Sequence, residues 1–290
     1  MLEYAARQAG RLALGLLGAV VIAAAVSAVG MPHARGPLPF LAAASHRLFD
    51  FVRLDFGHSA ISGLPAASEL AANLPATLAL VGTGGFLAVL VGVPLGFLFS
   101  ISSARRAAAP MTQLVTAVPV FCAGLAIAYG AVHLLHWPVS VNAAADARIF
   151  ADGAFPMAAP AVLTVGFAGA AAVQLALRRA ASLSSGEAFR TGLKRMGLSL
   201  LEIERIYVVP RVLAGLAASA GEILLSLFSA AVVAEWVFHR PGAADLFVKS
   251  VALEDWNMAA LIVAVFAALT LLAEFLGRIA AHAIAHGDAP

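Results

Sequence analysis

At 290 residues, with 62% hydrophobic and only 12% charged side chains, the chain cannot fold around one soluble core, since an ordinary soluble domain carries about 25% charge. Its mean hydropathy of +0.93 marks a polytopic membrane protein, and continuous rather than alternating apolar runs make it all-α and exclude a transmembrane barrel. A formal charge of +2 and a pI near 9.0 say little about partners, because the basic residues sort by side instead of massing into a nucleic-acid patch; membrane lipid and no nucleic acid is the expectation.

Six apolar runs reach the roughly 20 residues that cross the hydrocarbon, near 12–31, 74–100, 110–135, 157–177, 212–235 and 258–284. Arg7 and Arg11 precede the first, and Val26-Ser27-Ala28 resembles a cleavage site. That run is longer than the 7–15 apolar residues of a signal peptide, so an uncleaved anchor is expected. The chain divides into a tail and first span (1–31), a polar segment (32–73) and a core (74–290) holding a loop at about 180–210. Within 32–73, Leu48 to Val52 is partly amphipathic and Leu54 to Ser59 reads as a turn. Cys122 is the one cysteine and lies in an apolar run. It can form no internal disulfide and is expected as a small buried hydrophobe.

Basic residues give the orientation. With both termini in the cytoplasm, the inner side holds Arg7, Arg11, Arg105, Arg106, Arg178, Arg179, Arg190, Lys194, Arg195, Arg205, Arg211 and Arg278. The outer side then holds Arg35, Arg47, Arg53, Arg148, Arg240 and Lys249, half as many. Seven of the inner residues crowd into Arg178–Arg211. This stretch reads as two short helices, 181–195 and 199–207, around an elbow at Gly197, closed by Pro210 where the next span begins. A folded polar loop between two spans is a handle for another protein. On the other side, Phe238-His-Arg-Pro241-Gly242 is a turn, followed to about Val251 by apolar residues at helical spacing.

Some chemistry is excluded. The two lysines, Lys194 and Lys249, follow no glycine, so the chain has no phosphate-binding P-loop. No catalytic residue or cofactor follows from the sequence, and the histidines show no His-Glu-x-x-His pattern. His133 and His136 share helical spacing at a membrane edge, where interfacial filling is a better account than a metal pair. Three carboxylates fall within spans: Glu222, Glu235 and Glu274. A carboxylate at mid-helix costs about 2.5–3.5 kcal/mol on insertion scales. Glu222, eleven residues into the fifth run, is thus expected to face a cavity or a polar partner, with Gln174 of the fourth run on the same path.

Particular blocks carry a family resemblance: Asp55-Phe56-Gly57-His58-Ser59, Leu74-Pro75-Ala76-Thr77-Leu78-x-Leu80, Gly92-Val93-Pro94-Leu95-Gly96 and Val233-x-Glu235-x-x-Phe238-x-x-Pro241-Gly242. In this order they resemble the inner-membrane permease subunits of bacterial ABC importers of the dipeptide, oligopeptide and nickel group, over nearly the whole chain. The resemblance implies a six-span permease in the bacterial inner membrane, half of a pore completed by a second permease subunit. It also implies two ATP-binding subunits and a periplasmic solute-binding protein. Its cytoplasmic coupling motif places a Gly thirteen residues before a Pro, as Gly197 and Pro210 stand here. Thr191, Gly192 and Leu193 replace that motif's acidic residue and paired alanines, with Glu187-Ala188 four residues too early. By this resemblance Glu187, Phe189, Arg190, Lys194, Arg195, Gly197, Leu198 and Pro210 contact the ATPase, and Glu235, Phe238, Pro241 and Gly242 form an outer gate. The expected cargo is a di- or oligopeptide or a related compound, with nickel or a metal chelate as the alternative. An ion-coupled secondary transporter using Glu222 and an intramembrane hydrolase are the other classes, the latter without any nucleophile–base pair at a recognisable spacing.

Overall fold

The computed structural model describes residues 2–31, 36–100, 117–136, 155–184, 187–199 and 202–286. These build ten helices: α1 (Leu2–Val29), α2 (Pro37–Val52), α3 (Ala66–Ser100), α4 (Val120–His133), α5 (Phe155–Ser184), α6 (Glu187–Arg195), α7 (Val209–Ala218), α8 (Ala220–Val237), α9 (Ala243–Ala252) and α10 (Trp256–His286). A π-helical turn, Ile203–Val208, leads into α7. No strand occurs among the described residues, whose one β-type contact is the isolated pairing of His58 with Pro65.

Five of the helices are long and apolar enough to cross a membrane: Glu3–Val29, Ala66–Gly96, Ala158–Ala181, Ala220–Val237 and Trp256–Ala285. The expected third run survives as the shorter apolar α4, with 110–116 outside the described residues. The expected fifth run is not one helix. It breaks at Ser219, whose amide reaches back to the carbonyls of Gly215 and Leu216 and whose hydroxyl donates to Gly215 O at 3.0 Å. The polar segment is more regular than its sequence implied, with α2 over sixteen residues, and α3 starts at Ala66 rather than 74.

The bundle is assembled around α3, α5 and α8. Along α3, Gly84, Ala88, Gly92 and Gly96 recur every fourth residue and face Val165, Gly169, Val173 and Leu177 of α5. A β-carbon at Gly84 would stand 2.5 Å from Val165 Cγ1, so only glycine lets the two backbones approach this closely; tight packing replaces the hydrophobic effect as the adhesive between spans. Gly82 lies off this seam with open space beside it. α8 packs against α3, α4, α5, α7, α9 and α10, with Phe228 stacked on Phe266 at 4.4 Å. α1 lies antiparallel along α10, joined near one end by Tyr4 Oη to Arg278 O at 3.4 Å and near the other by Ser27 Oγ to Asn257 Oδ1 at 2.8 Å. Surfaces uncovered by this chain, such as Phe86 and Leu90 of α3, meet lipid or another subunit. Cys122 belongs with them: it is exposed on α4, not buried.

Candidate functional sites at the two ends of the bundle

At one end, α5 runs on to Ser184, and the amphipathic α6 begins at Glu187. The helix expected over 181–195 is therefore two. The elbow lies at Gly197, with φ +88° and nothing within 4 Å of where a β-carbon would be. Its requirement is purely conformational: that region is readily open only to glycine. Leu193 and Leu198 pack onto a core of Val173, Leu177, Ile203, Val208 and Val212, leaving Lys194, Arg195 and Met196 exposed. Glu187, Phe189 and Arg190 lie in α6, but their side chains fall outside the described set. Pro210 stands in the first turn of α7, where its missing N–H breaks no helical bond.

The second expected helix, 199–207, begins with a reciprocal cap. Glu202 Oε2 accepts from the Ser199 amide at 2.8 Å and hydroxyl at 2.7 Å, while Ser199 Oγ accepts from the Glu202 amide at 3.3 Å. Those bonds, the side-chain one first, hold the Glu202 carboxyl below its ordinary 4.5. The Ser-x-x-Glu spacing was legible in the sequence and is the signal that sequence reasoning missed.

Glu222 is at this same end. Because the helix breaks at Ser219, it sits in the first turn of α8, not eleven residues deep. Thirteen residues separate it from Glu235, about 20 Å of helix. It is exposed and bonded to Arg179 Nη1 of α5 at 2.7 Å, a partner 43 residues away that no local pattern announced. Gln174 is buried in α5 with its Oε1 unpaired, so the structure does not bring it to Glu222. Glu274 pairs within α10 to Arg278 at 2.6 Å.

The opposite end holds the most buried polar cluster. Thr77 of α3 donates from Oγ1 to Glu235 Oε1 at 2.6 Å and accepts from the Ala243 amide at 2.7 Å. Glu235 Oε2 accepts from the Asp245 amide at 2.8 Å. The hydroxyl and carboxylate thus satisfy the orphan amides at the start of α9. The expected turn is present: Phe238 is buried, His239 takes φ +52°, and Pro241-Gly242 leads into α9. A β-carbon at Gly242 would lie 2.5 Å from Glu235 Cδ. Beyond α9, Asp255 begins α10 by accepting from the Met258 amide at 3.2 Å, and its other oxygen accepts from Ser59 Oγ at 2.6 Å and the Ala60 amide at 2.8 Å. Two buried carboxylates therefore hold this end together, Glu235 joining the start of α9 to α3 and Asp255 joining the start of α10 to the turn after α2. His133 lies tilted against the Tyr129 ring, centroids 4.4 Å apart, and no group of three metal-ligating side chains exists among the described residues.

The family model of the binding-protein-dependent transport system inner membrane component matches residues 84–286, from mid-α3 through the basic loop and both carboxylate clamps to the end of α10. The chain belongs to that family. It is thus the permease component of an ABC importer: a multi-pass protein of the inner membrane that carries out transport rather than catalysis and works with ATP-binding and substrate-binding partners. No curated protein matches the chain. Within the permease, the matched stretch includes Glu222 and Glu235, whereas Thr77 and Ser59, which clamp onto it, lie in the part preceding it.

Proposed function

We propose that this permease forms half of the pore of an ATP-driven importer, completed by a second permease subunit and powered by two ATP-binding subunits that grip α6. Solute handed over by a periplasmic binding protein moves to the cytoplasm, on the side where both termini and the basic loop lie by the distribution of Lys and Arg. A small peptide or related compound is the cargo to which the sequence blocks point. One observation carries the coupling role: α6 and the elbow after it are seated on the bundle by Leu193 and Leu198 while presenting Lys194, Arg195 and Met196 outward, so force on that outer face is transmitted into α5 and α7.

The test is substitution at the elbow. The β-carbon that Gly197→Leu introduces meets nothing within 4 Å, but the substitution imposes about 1–2 kcal/mol of left-handed strain and re-aims α6. Gly197→Asn, which tolerates that backbone region, is the control. In proteoliposomes holding the whole transporter, the Leu variant should insert normally yet lose ATP-driven uptake and stimulation of ATP hydrolysis by the binding protein. Wild-type uptake in the Leu variant would remove α6 from the coupling path.

A further inference from the structure

The polarity of α2 is inverted. Leu38, Leu41, Phe49 and Val52 are each more than half exposed, and at 100° per residue they fall within an arc of about 80°. Its ion pair turns toward the protein instead. Arg47 and Asp50 meet at 3.8 Å with side chains only 22% exposed, and Arg47 Nη1 lies 3.9 Å from where a β-carbon at Gly57 would stand. A helix bathed in water on one side turns its charges to that side and its apolar stripe to the core. The reverse arrangement calls for apolar matter outside.

Depth decides what that matter is. Phe51, on the opposite face, is buried in a cluster with Ala23 of α1 and Ala260 of α10, with Val20 and Val26 packed against it. Ala23 is six residues inside the end of α1 at Val29, and Ala260 four residues inside the start of α10 at Trp256, or about 9 and 6 Å at 1.5 Å per residue. Those two ends stand at one level, since a β-carbon at Gly30 would be 2.5 Å from Trp256 Cδ1. Indoles concentrate where a membrane meets water. The last turn of α2 therefore lies alongside the spans and not above them, at the depth of about 5–10 Å to which interfacial amphipathic helices sink.

The exposed face is also graded. Leu41 is at one edge and His46 at the other, about 60° beyond Phe49. Arg53, the C-cap of α2, holds its guanidinium 4.0 Å over the Phe49 ring. Arginine at a membrane surface lays its stem on apolar groups in this way and keeps its charge at headgroup level. We infer that α2 is an interfacial helix whose outer partner is phospholipid. Leu38, Leu41, Phe49 and Val52 lie among the acyl chains of the leaflet at the α9 end, and His46 and Arg53 face the phosphates.

Nitroxide labels test this in the assembled transporter, reconstituted with cysteine-free partners in vesicles of phosphatidylethanolamine and phosphatidylglycerol. They are placed singly by Leu41→Cys, Phe49→Cys, His46→Cys and Ser62→Cys in a Cys122→Ala background, which removes the chain's one native thiol. Oxygen, which concentrates among acyl chains, should relax the labels at Leu41 and Phe49 more strongly than a water-soluble nickel chelate does. The order should reverse at Ser62, with His46 between. Leu38→Cys, on the same arc, takes the place of either apolar site whose variant does not insert. Nickel access at Leu41 and Phe49 equal to that at Ser62 would put this face in water. Nickel access that is lost when the substrate-binding protein is added would make that protein the partner, and labels reached by neither reagent would seat another subunit there. Each of these three results overturns the assignment to lipid.

Discussion

Thr77→Val removes a hydroxyl and keeps the shape. Thr77 is fully buried, and its Oγ1 is both donor to Glu235, at 2.6 Å, and acceptor for the Ala243 amide, at 2.7 Å. The variant loses a hydrogen bond to a carboxylate, about 1.5–3 kcal/mol, and strands a buried amide, about 1–3 kcal/mol. The two share one atom and are not independent, so a combined loss of about 3–5 kcal/mol is expected. The loss is local, so the assay is too: hydrogen exchange across 240–246 in detergent-solubilised protein. At 1.4 kcal/mol per factor of ten, the lower figure accelerates exchange of the Ala243 amide about a hundredfold. Thr77→Ser retains the hydroxyl and sacrifices one methyl, about 1 kcal/mol, so it should remain near wild type. Exchange in the Val variant as slow as wild type would refute the hydroxyl's role. An equal loss in the Ser variant would show that packing, not hydrogen bonding, holds this end.

Asp255→Asn replaces an oxygen that accepts from Ser59 and Ala60 with a donor, and should lower stability by about 2–4 kcal/mol; thermal unfolding in detergent that matches wild type would remove this clamp. Acid should loosen the start of the π-helical turn. Because Glu202's carboxyl is held below 4.5 by Ser199, the cap's contribution is complete above that value and is lost as pH falls through the lowered one. The protection of the Ser199 amide, exchange being measured from pH 7 down to pH 3 and referred to the intrinsic rate at each pH, should fall only below 4.5, and Glu202→Ala should make that protection independent of pH.

Some of this was legible and some was not, for reasons specific to the residues. The membrane class followed from composition, the Gly197 elbow from a glycine between two polar helical stretches, and the Pro241-Gly242 turn from its dipeptide, because each is a local signal. The break at Ser219 was hidden: no proline marks it, and apolar residues continue on both sides, so 212–235 read as one span and Glu222 as deep. Cys122 was misplaced for a different reason. Lipid is as apolar as a bundle's interior, so hydrophobicity alone does not separate the covered face of a span from the uncovered one. The pairings that organise the ends, Thr77 with Glu235, Ser59 with Asp255 and Arg179 with Glu222, join residues 158, 196 and 43 positions apart and leave no trace in any short window. The motif blocks were recognisable, but not that they meet.

Those separations impose a timetable on biogenesis. The chain leaves the ribosome in order, so Ser27, Ser59 and Thr77 are in place long before Asn257, Asp255 and Glu235 have been synthesised. Throughout that interval the first half carries polar side chains whose eventual companions do not yet exist, and α1 waits for α10, the helix it packs along. The bundle is closed only once Trp256–His286 has been made, and a chain ending before Trp256 lacks the helix that shuts it.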